Sequence, residues 1–516
     1  MIDESPRSVP GQRRTRTLEQ LGITRSRLQK LALFATLTAA LVSRLSWLDL
    51  MEFKGDEAAA CRLALHVLGY SEPGVGTFFP TAGLVSSIGI PNPPLFVYLV
   101  AVPLAIVPSP IAAAIFIATA NVAVVWLTFV LGTRCFSRFV GLAAAALLAL
   151  SPWPIVFSRK IWAQDLLPVC TTLFALQLHA LLVKKAPRAG FWLIVIATAA
   201  TQLHFSAWIL FGVAAVAFFT ARRWISWRWV GSGVVVAVAS YLPFIIFHAA
   251  SIAHSISRHH HPHVGPSVLT RFELSSGFMV DLTGGGGMAF LLGRSFLLAT
   301  LLSGVLGVAA IVGLVAFARG HSAGARRLGL VFAVWYLLPL IALTALPVRP
   351  YIHYFIILIP LPYLGVARLL ELAGGRRLTI RAGALVAIVC CFAIVDIRFF
   401  RTVIENGGAP GDYGIAYRYK RDAVLFMLRN TPSGTPRIGF DTDLRRVRAL
   451  RTYRFLLWNA ALDRRSADGP PTRWFVLVSR FAGVPPLLRS DPRAAGYPRA
   501  SFGPLTVVAI RASPNV

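Results

Sequence analysis

The chain is short of acid. It holds 21 Asp and Glu against 51 Lys and Arg in 516 residues, a formal net charge of +30. Charge of either sign is scarce too, at 14% of residues, where soluble domains carry roughly 25%. With 56% hydrophobic residues, these shortages exclude an ordinary soluble protein and indicate a polytopic membrane protein. Cysteine is also sparse. Cys61, Cys135, Cys170, Cys390 and Cys391 fall mostly in or beside apolar runs, with neither a disulfide framework nor metal-like spacing. No cleavable signal peptide is legible. Residues 1–29 are polar and Arg-rich, and the apolar run after them is long enough to span, so it reads as an uncleaved anchor.

A large positive surplus raises the question of nucleic acid. The positions of the basic residues answer it in favour of lipid. Arg7, Arg13, Arg14, Arg16, Arg25, Arg27 and Lys30 precede the first span and place the N-terminus in the cytoplasm. Candidate spans are 30–49, 110–131, 139–157, 165–183, 190–205, 206–221, 229–249, 290–317, 330–347, 352–371 and 382–400. The run 95–108 would be about 21 Å long as a helix, short of a hydrocarbon core of about 30 Å. Counting it as a half-embedded surface helix leaves eleven spans. The basic loops, from Arg134 and Arg138 to Arg376, Arg377 and Arg381, then all fall on the cytoplasmic side, while Asp56, Glu57, Glu72, Asp165, Glu273 and Asp281 fall on the other. The expected topology is N-terminus in and C-terminus out, a multi-pass protein of the plasma membrane with membrane lipids as partners and no nucleic acid. The weakest segment is 190–221, which also reads as one kinked span.

The stretch Lys54-Gly55-Asp56-Glu57 follows the first span closely. An ionised carboxylate costs a few kcal/mol inside a bilayer. Here Gly55 is expected to break the helix and let the acid pair face water. Two solvated loop acids would be the plain reading; a catalytic pair is the functional one. Residues 56–70 show helical spacing, with Ala60, Leu63, Ala64, Val67 and Leu68 along one side, and read as a surface helix. Two further stretches lie on the same side. Ser158 to Asp165 holds Arg159 and Lys160, which break the positive-inside pattern and either bind an anionic headgroup or pair with Asp165. Arg349 to Tyr354 holds Arg349 without an acidic neighbour, His353, and the interfacial candidates Tyr351 and Tyr354. Gln202 and His204 sit in an apolar stretch, as a satisfied polar pair or as cavity lining. The far-side loop 250–289 contains His259, His260, His261 and His263, which read better as a mobile polar loop than as a metal cluster, and Gly284 to Gly287, expected to be a flexible segment able to close over a ligand.

Beyond residue 400 the chain turns polar and Arg-rich. Helical pattern at 416–429 and 444–459 alternates with strand-like runs at 436–440, 474–479 and 505–510, which indicates a small α/β domain. The expected organisation is a cytoplasmic basic tail 1–29, a mostly α transmembrane domain 30–400 and an extracytoplasmic α/β domain 401–516.

An acidic pair after the first span, Pro93 and Pro94 opening a short helix at Leu95, a basic turn ending in Asp165 and an aromatic Arg/His cluster before a late span together resemble the GT-C glycosyltransferases. The nearest branch is glycosyltransferase family 39 and its bacterial relatives, which include protein O-mannosyltransferases and lipid A aminoarabinose transferases. The resemblance covers about residues 30–400. It implies a polyprenyl-phosphate-linked sugar donor and transfer to a lipid, glycan or protein acceptor on the extracytoplasmic face. It places Asp56 as the catalytic acid/base and Glu57 as its neighbour. Asn92 stands where relatives often carry His. Gly411-Asp412-Tyr413-Gly414 resembles the opening of the C-terminal domain of bacterial relatives, with no role attached.

The chemistry of displacement at a sugar C1 agrees with these residues. A carboxylate can take the acceptor proton, and positive charge must meet the departing phosphate. Arg159, Lys160, Arg349 and His353 are the candidate phosphate contacts, with Asp165, Tyr351 and Tyr354 as further site candidates. A divalent cation could share the work with Asp56 or Glu57 as ligand, though nothing requires one. The competing class is a transporter or flippase of lipid-linked sugars; no inverted repeat is visible to support it.

Overall fold

A computed structural model describes residues 25–86, 89–259, 266–320, 322–375, 377–431, 437–439, 444–462, 474–481 and 494–510. The basic tail up to Ile23 and Thr24 and the histidine cluster at 260–263 lie outside the described residues. The first helix, α1 (Arg25–Leu45), ends in a single 3-10 turn at Leu48–Leu50. The chain then enters α2 (Gly55–Val67), α3 (Leu95–Ile106), α4 (Pro110–Cys135), α5 (Arg138–Leu150) and α6 (Pro152–Phe157). Next come α7 (Leu167–Leu182), α8 (Ala189–Leu203), α9 (Ile209–Thr220), α10 (Trp227–His259), α11 (Val268–Gly284) and α12 (Met288–Leu292). The membrane part closes with α13 (Leu297–Ala318), α14 (Ala323–Ala345), α15 (Leu361–Ala373) and α16 (Leu378–Asn406).

Local chemistry explains several starts. Ser109 and Ser137 cap α4 and α5, their hydroxyls accepting from Ile111 N at 3.4 Å and Val140 N at 3.3 Å. Pro110 takes the first position of α4, where a missing N–H costs nothing.

Among the described residues, seven helices are long and apolar enough to cross a membrane, with an eighth if the pair Ile352–Leu358 and α15, bent by 58°, crosses as one. The other three expected spans correspond to shorter apolar helices, α5, α8 and Phe205–Thr220. Large apolar side chains such as Val235, Ile246, Phe247 and Ile397 point outward, as acyl chains around them would require.

Three expectations about segments need correction. The stretch 250–289 is mostly helix, formed by the end of α10 and by α11, because Ser267 caps α11 by accepting from Thr270 N at 3.1 Å. The glycines 284–287 are not a free hinge. A methyl group on Gly284 would run into the backbone of Ser303, and one on Gly287 into the ring of Trp153. They are small because helices pack there, and Gly285, at φ 83°, ends α11. Helix α2 is also no free surface helix: Ala58, Ala60, Cys61, Ala64 and Leu65 are buried.

After α16 a two-residue antiparallel pair, β1 (Gly408–Ala409) and β2 (Gly414–Ile415), leads into α17 (Tyr417–Arg429). The remaining elements are β3 (Arg437–Gly439), α18 (Leu444–Ala460), β4 (Trp474–Ser479), β5 (Arg499–Phe502) and β6 (Leu505–Ile510). The sheet order is β3-β4-β6-β5, with β3 and β4 parallel and the other pairs antiparallel. This is the small α/β unit that the alternation of patterns indicates, with β5 as a strand that the pattern missed.

Candidate active site

The acids of Lys54-Gly55-Asp56-Glu57 do not sit in a broken loop. Gly55 is the first residue of α2, so both acids lie in the first helical turn, where the partial positive charge of the helix end favours them. Adjacent helix positions diverge by about 100°, and the two side chains part accordingly. Asp56 is exposed, and among the described residues no hydrogen bond or ion pair holds it. Glu57 is fully buried, and its Oε2 accepts from the Lys54 backbone N at 2.8 Å, capping the helix. Its Oε1 finds no hydrogen-bond partner among the described residues. Burial, reinforced by the negative charge of Glu52, pushes Glu57 up to about 7.

Glu52 was not legible as a site residue. It is 1% exposed, with Lys54 Nζ at 2.6 Å from one carboxylate oxygen and Lys160 Nζ at 2.7 Å from the other. Burial works to raise its pKa, and the two ammonium groups outweigh that and lower it. Lys160 is therefore paired with Glu52 and not with Asp165, and it also lies 3.7 Å from the centre of the Trp162 ring. Asp165 is buried close by. Its Oδ2 accepts from Trp162 N at 3.2 Å, its backbone oxygen accepts from Asn121 Nδ2 at 2.8 Å, and its Oδ1 has no hydrogen-bond partner among the described residues.

Arg159 is used differently from either expectation. Its guanidinium donates to the carbonyls of Ser43 and Arg44, both at 3.2 Å, Ser46 at 2.7 Å and Trp47 at 2.8 Å. Ser43 and Arg44 belong to the last turn of α1 and Ser46 and Trp47 follow it directly, so Arg159 is a C-terminal clamp on the first helix. The pocket that Arg159 lines with Glu52, Lys160, Phe400 and Tyr413 has no room for water.

The second stretch closes over the first. The His353 ring lies 5.4 Å from that of Trp162, 6.0 Å from His204, 5.5 Å from Tyr351 and 4.6 Å from Tyr354. His204 has its own partner, the Ser206 hydroxyl at 2.8 Å, while Gln202 donates to Ser240 Oγ at 3.0 Å, so those two polar residues are not a pair. Tyr354 is buried, whereas Tyr351 and Arg349 are exposed, with the Arg349 guanidinium 5.9 Å from the Tyr351 ring centre.

The C-terminal segment completes the site. Ala416 bridges Glu52 in antiparallel fashion, Tyr417 N donates to Met51 O at 3.0 Å, and Tyr413 Oη donates to Leu50 O at 2.5 Å. Arg418 pairs with Asp49 at 2.5 Å, and buried Lys420 donates to Phe53 O at 2.6 Å. Burial, with Lys54 nearby, lowers Lys420 to about 8. Asp412, within the segment that carried no role in the sequence, reaches Lys54 at 3.0 Å. Only the hint of Gly411 to Gly414 could have pointed here.

Among the described residues no three of His, Cys, Asp and Glu gather to hold a divalent cation, and Lys54, Lys160 and Lys420 already supply the positive charge around Glu52 and Glu57.

No family model matches the sequence, and no curated protein matches it. Among solved structures it is similar to ArnT from Cupriavidus metallidurans bound to undecaprenyl phosphate, at 14% identity and a TM-score of 0.57, over 95% of this chain and 100% of that one. The same protein in the apo state matches at 14% identity and a TM-score of 0.56, over 94% of this chain and 98% of that one. At that identity the likeness is one of architecture, and the chain has the polytopic, mostly helical fold of the GT-C integral-membrane glycosyltransferases.

Proposed function

We propose that the chain transfers a sugar from a polyprenyl-phosphate-linked donor to the hydroxyl of a lipid, glycan or protein acceptor at the extracytoplasmic face of the plasma membrane. The observation that carries this reading is an exposed carboxylate, Asp56, at a helix start, set beside buried charge networks that hold lysines at the membrane surface. The ArnT neighbour, which binds undecaprenyl phosphate, supports the donor class.

The reaction is a direct displacement. Asp56 takes the acceptor proton as the new bond from the acceptor oxygen to C1 forms. The bond from C1 to the phosphate oxygen breaks, and the phosphate departs with the electron pair. Arg349 is free to meet that charge, with His353 beside it and Lys160 adding field from below; Arg159, committed to α1, acts by holding the floor. Glu57 shapes the start of α2 and the charge around Asp56. Exposed Tyr351 lines the approach, with buried Asp165 and Tyr354 packed behind it. On this reading the unit 30–400 carries the chemistry, and the unit 401–516 braces it from the same side of the membrane.

The test is to incubate the purified protein in lipid nanodiscs with radiolabelled polyprenyl-phosphate sugars and to follow the label. Label leaving the polyprenyl lipid for an acceptor supports the reading. Label that stays on the lipid and only changes membrane face in sealed vesicles would favour a flippase.

A further inference from the structure

The cations around Asp56 are not equally reachable. Arg159 is buried and donates to four backbone carbonyls. Lys160 is 2% exposed and Lys420 8%, each bonded inward. Lys54 is the exception. Its side chain is 33% exposed and lies two residues from Asp56, with Glu52 on its inner side. On its outer side it meets Asp412, whose side chain is 43% exposed.

The Asp412 carboxylate is not needed to dock its own segment. Asp412 N donates to Phe290 O at 3.0 Å and Tyr413 N to Leu291 O at 3.2 Å, and the Tyr413 hydroxyl anchors to Leu50 O at 2.5 Å. The backbone is thus pinned while the carboxylate remains free to rotate away. Burial works to lower the Lys54 pKa, and Glu52 and Asp412 outweigh it and raise it, so Lys54 stays a cation with or without a visitor.

Resting on the transferase reading above, we propose that Asp412 occupies the place of the donor phosphate on Lys54 and is displaced when a polyprenyl phosphate binds. A half-exposed ion pair in water is weak. A phosphate oxygen, anchored by its prenyl chain in the adjacent bilayer, offers the same charge at high local concentration. Glu52 already holds Lys54 on its inner side, so the phosphate and Asp412 compete for the one exposed side, and the carboxylate must leave as the phosphate arrives. Its return competes with the phosphate product and aids release.

The experiment measures binding of undecaprenyl phosphate to the full-length protein in nanodiscs of uncharged lipid, without any transfer step. Asp412→Asn should bind about two- to fivefold tighter than wild type, the measure of a competing exposed ion pair. It should also show stronger product inhibition. Lys54→Met should bind about tenfold weaker or worse, and Lys54→Arg should restore most of the affinity. In the Lys54→Met background, Asp412→Asn should no longer tighten binding. A purely structural bridge predicts the opposite sign, because its loss loosens the site. The proposal is overturned if Asp412→Asn weakens binding or leaves it unchanged, or if it tightens binding equally without Lys54. Tightening by Asp412→Asn with no transfer from any sugar donor would keep the phosphate site and overturn the transferase reading instead.

Discussion

At the residue scale the site separates two neighbouring acids by burial. Asp56 is exposed and unpaired among the described residues, whereas Glu57 is buried and capping. Asp56→Asn keeps the shape and removes the basic oxygen, so turnover should fall by at least about 100-fold while undecaprenyl phosphate affinity changes little; transfer near the wild-type rate would move the base elsewhere. Glu72 is a poor substitute, being held by Arg62 at 2.5 Å and His66 at 3.1 Å. Glu57 carries a pH signature. Its folded pKa of about 7 lies above the ordinary 4.5, so the folded state holds the proton more tightly and stability falls as pH rises through that window. Thermal melts from pH 4 to 8 should show this decline, and Glu57→Gln should flatten it. Arg159 and Arg349 should also part company. Arg159→Met strips donors from buried carbonyls and should cost about 1–3 kcal/mol or more in stability. Arg349→Ala should leave the melting temperature alone and weaken donor binding.

At the scale of elements, close packing depends on glycine where helices cross. A methyl group on Gly313 of α13 would run into the Gly365 carbonyl oxygen of α15, and one on Gly365 into the backbone of Ala310. Helices in lipid gain little from apolar burial alone and rely on such close approach. Gly313→Ala should therefore lower stability by about 1–3 kcal/mol through overpacking, read as a lower melting temperature in detergent. Gly304, on the same helix with open space around a would-be Cβ, is the control and should tolerate alanine.

For the whole molecule, contacts across the chain constrain its path through the membrane. Glu52 touches Lys160, so an even number of crossings separates them. On the eleven-span expectation α4 and α5–α6 supply two, and α3 lies along one face. His204 approaches His353, and the Trp162 ring approaches it too, which sets the break between α8 and Phe205–Thr220 beside the Trp162 turn. The contacts of residues 412–420 with residues 49–54 put the C-terminal unit on the side of Asp56. Reporter fusions after residue 60 and at residue 510 should both report the extracytoplasmic side. A cytoplasmic signal at 510 would contradict both the charge pattern and the contacts.

By itself the sequence determined the class, the position of the long apolar helices and the alternation of the C-terminal unit, because hydropathy and periodicity are local quantities set by the solvent each segment meets. It also determined that Asp56 and Glu57 would face different ways. Only the tertiary structure decided which charges meet. Glu52 and Lys160 are 108 residues apart and Lys54 and Asp412 are 358 apart, and no local pattern marks such pairs. Arg159 looked like a free cation on the wrong side of the membrane because its partners are backbone carbonyls, which every residue carries and no composition reveals. The glycines after Thr283 looked like a hinge for the same reason: a missing side chain means freedom in an open loop and tight contact in a packed one, and only the neighbours brought in from Trp153 and Ser303 distinguish the two.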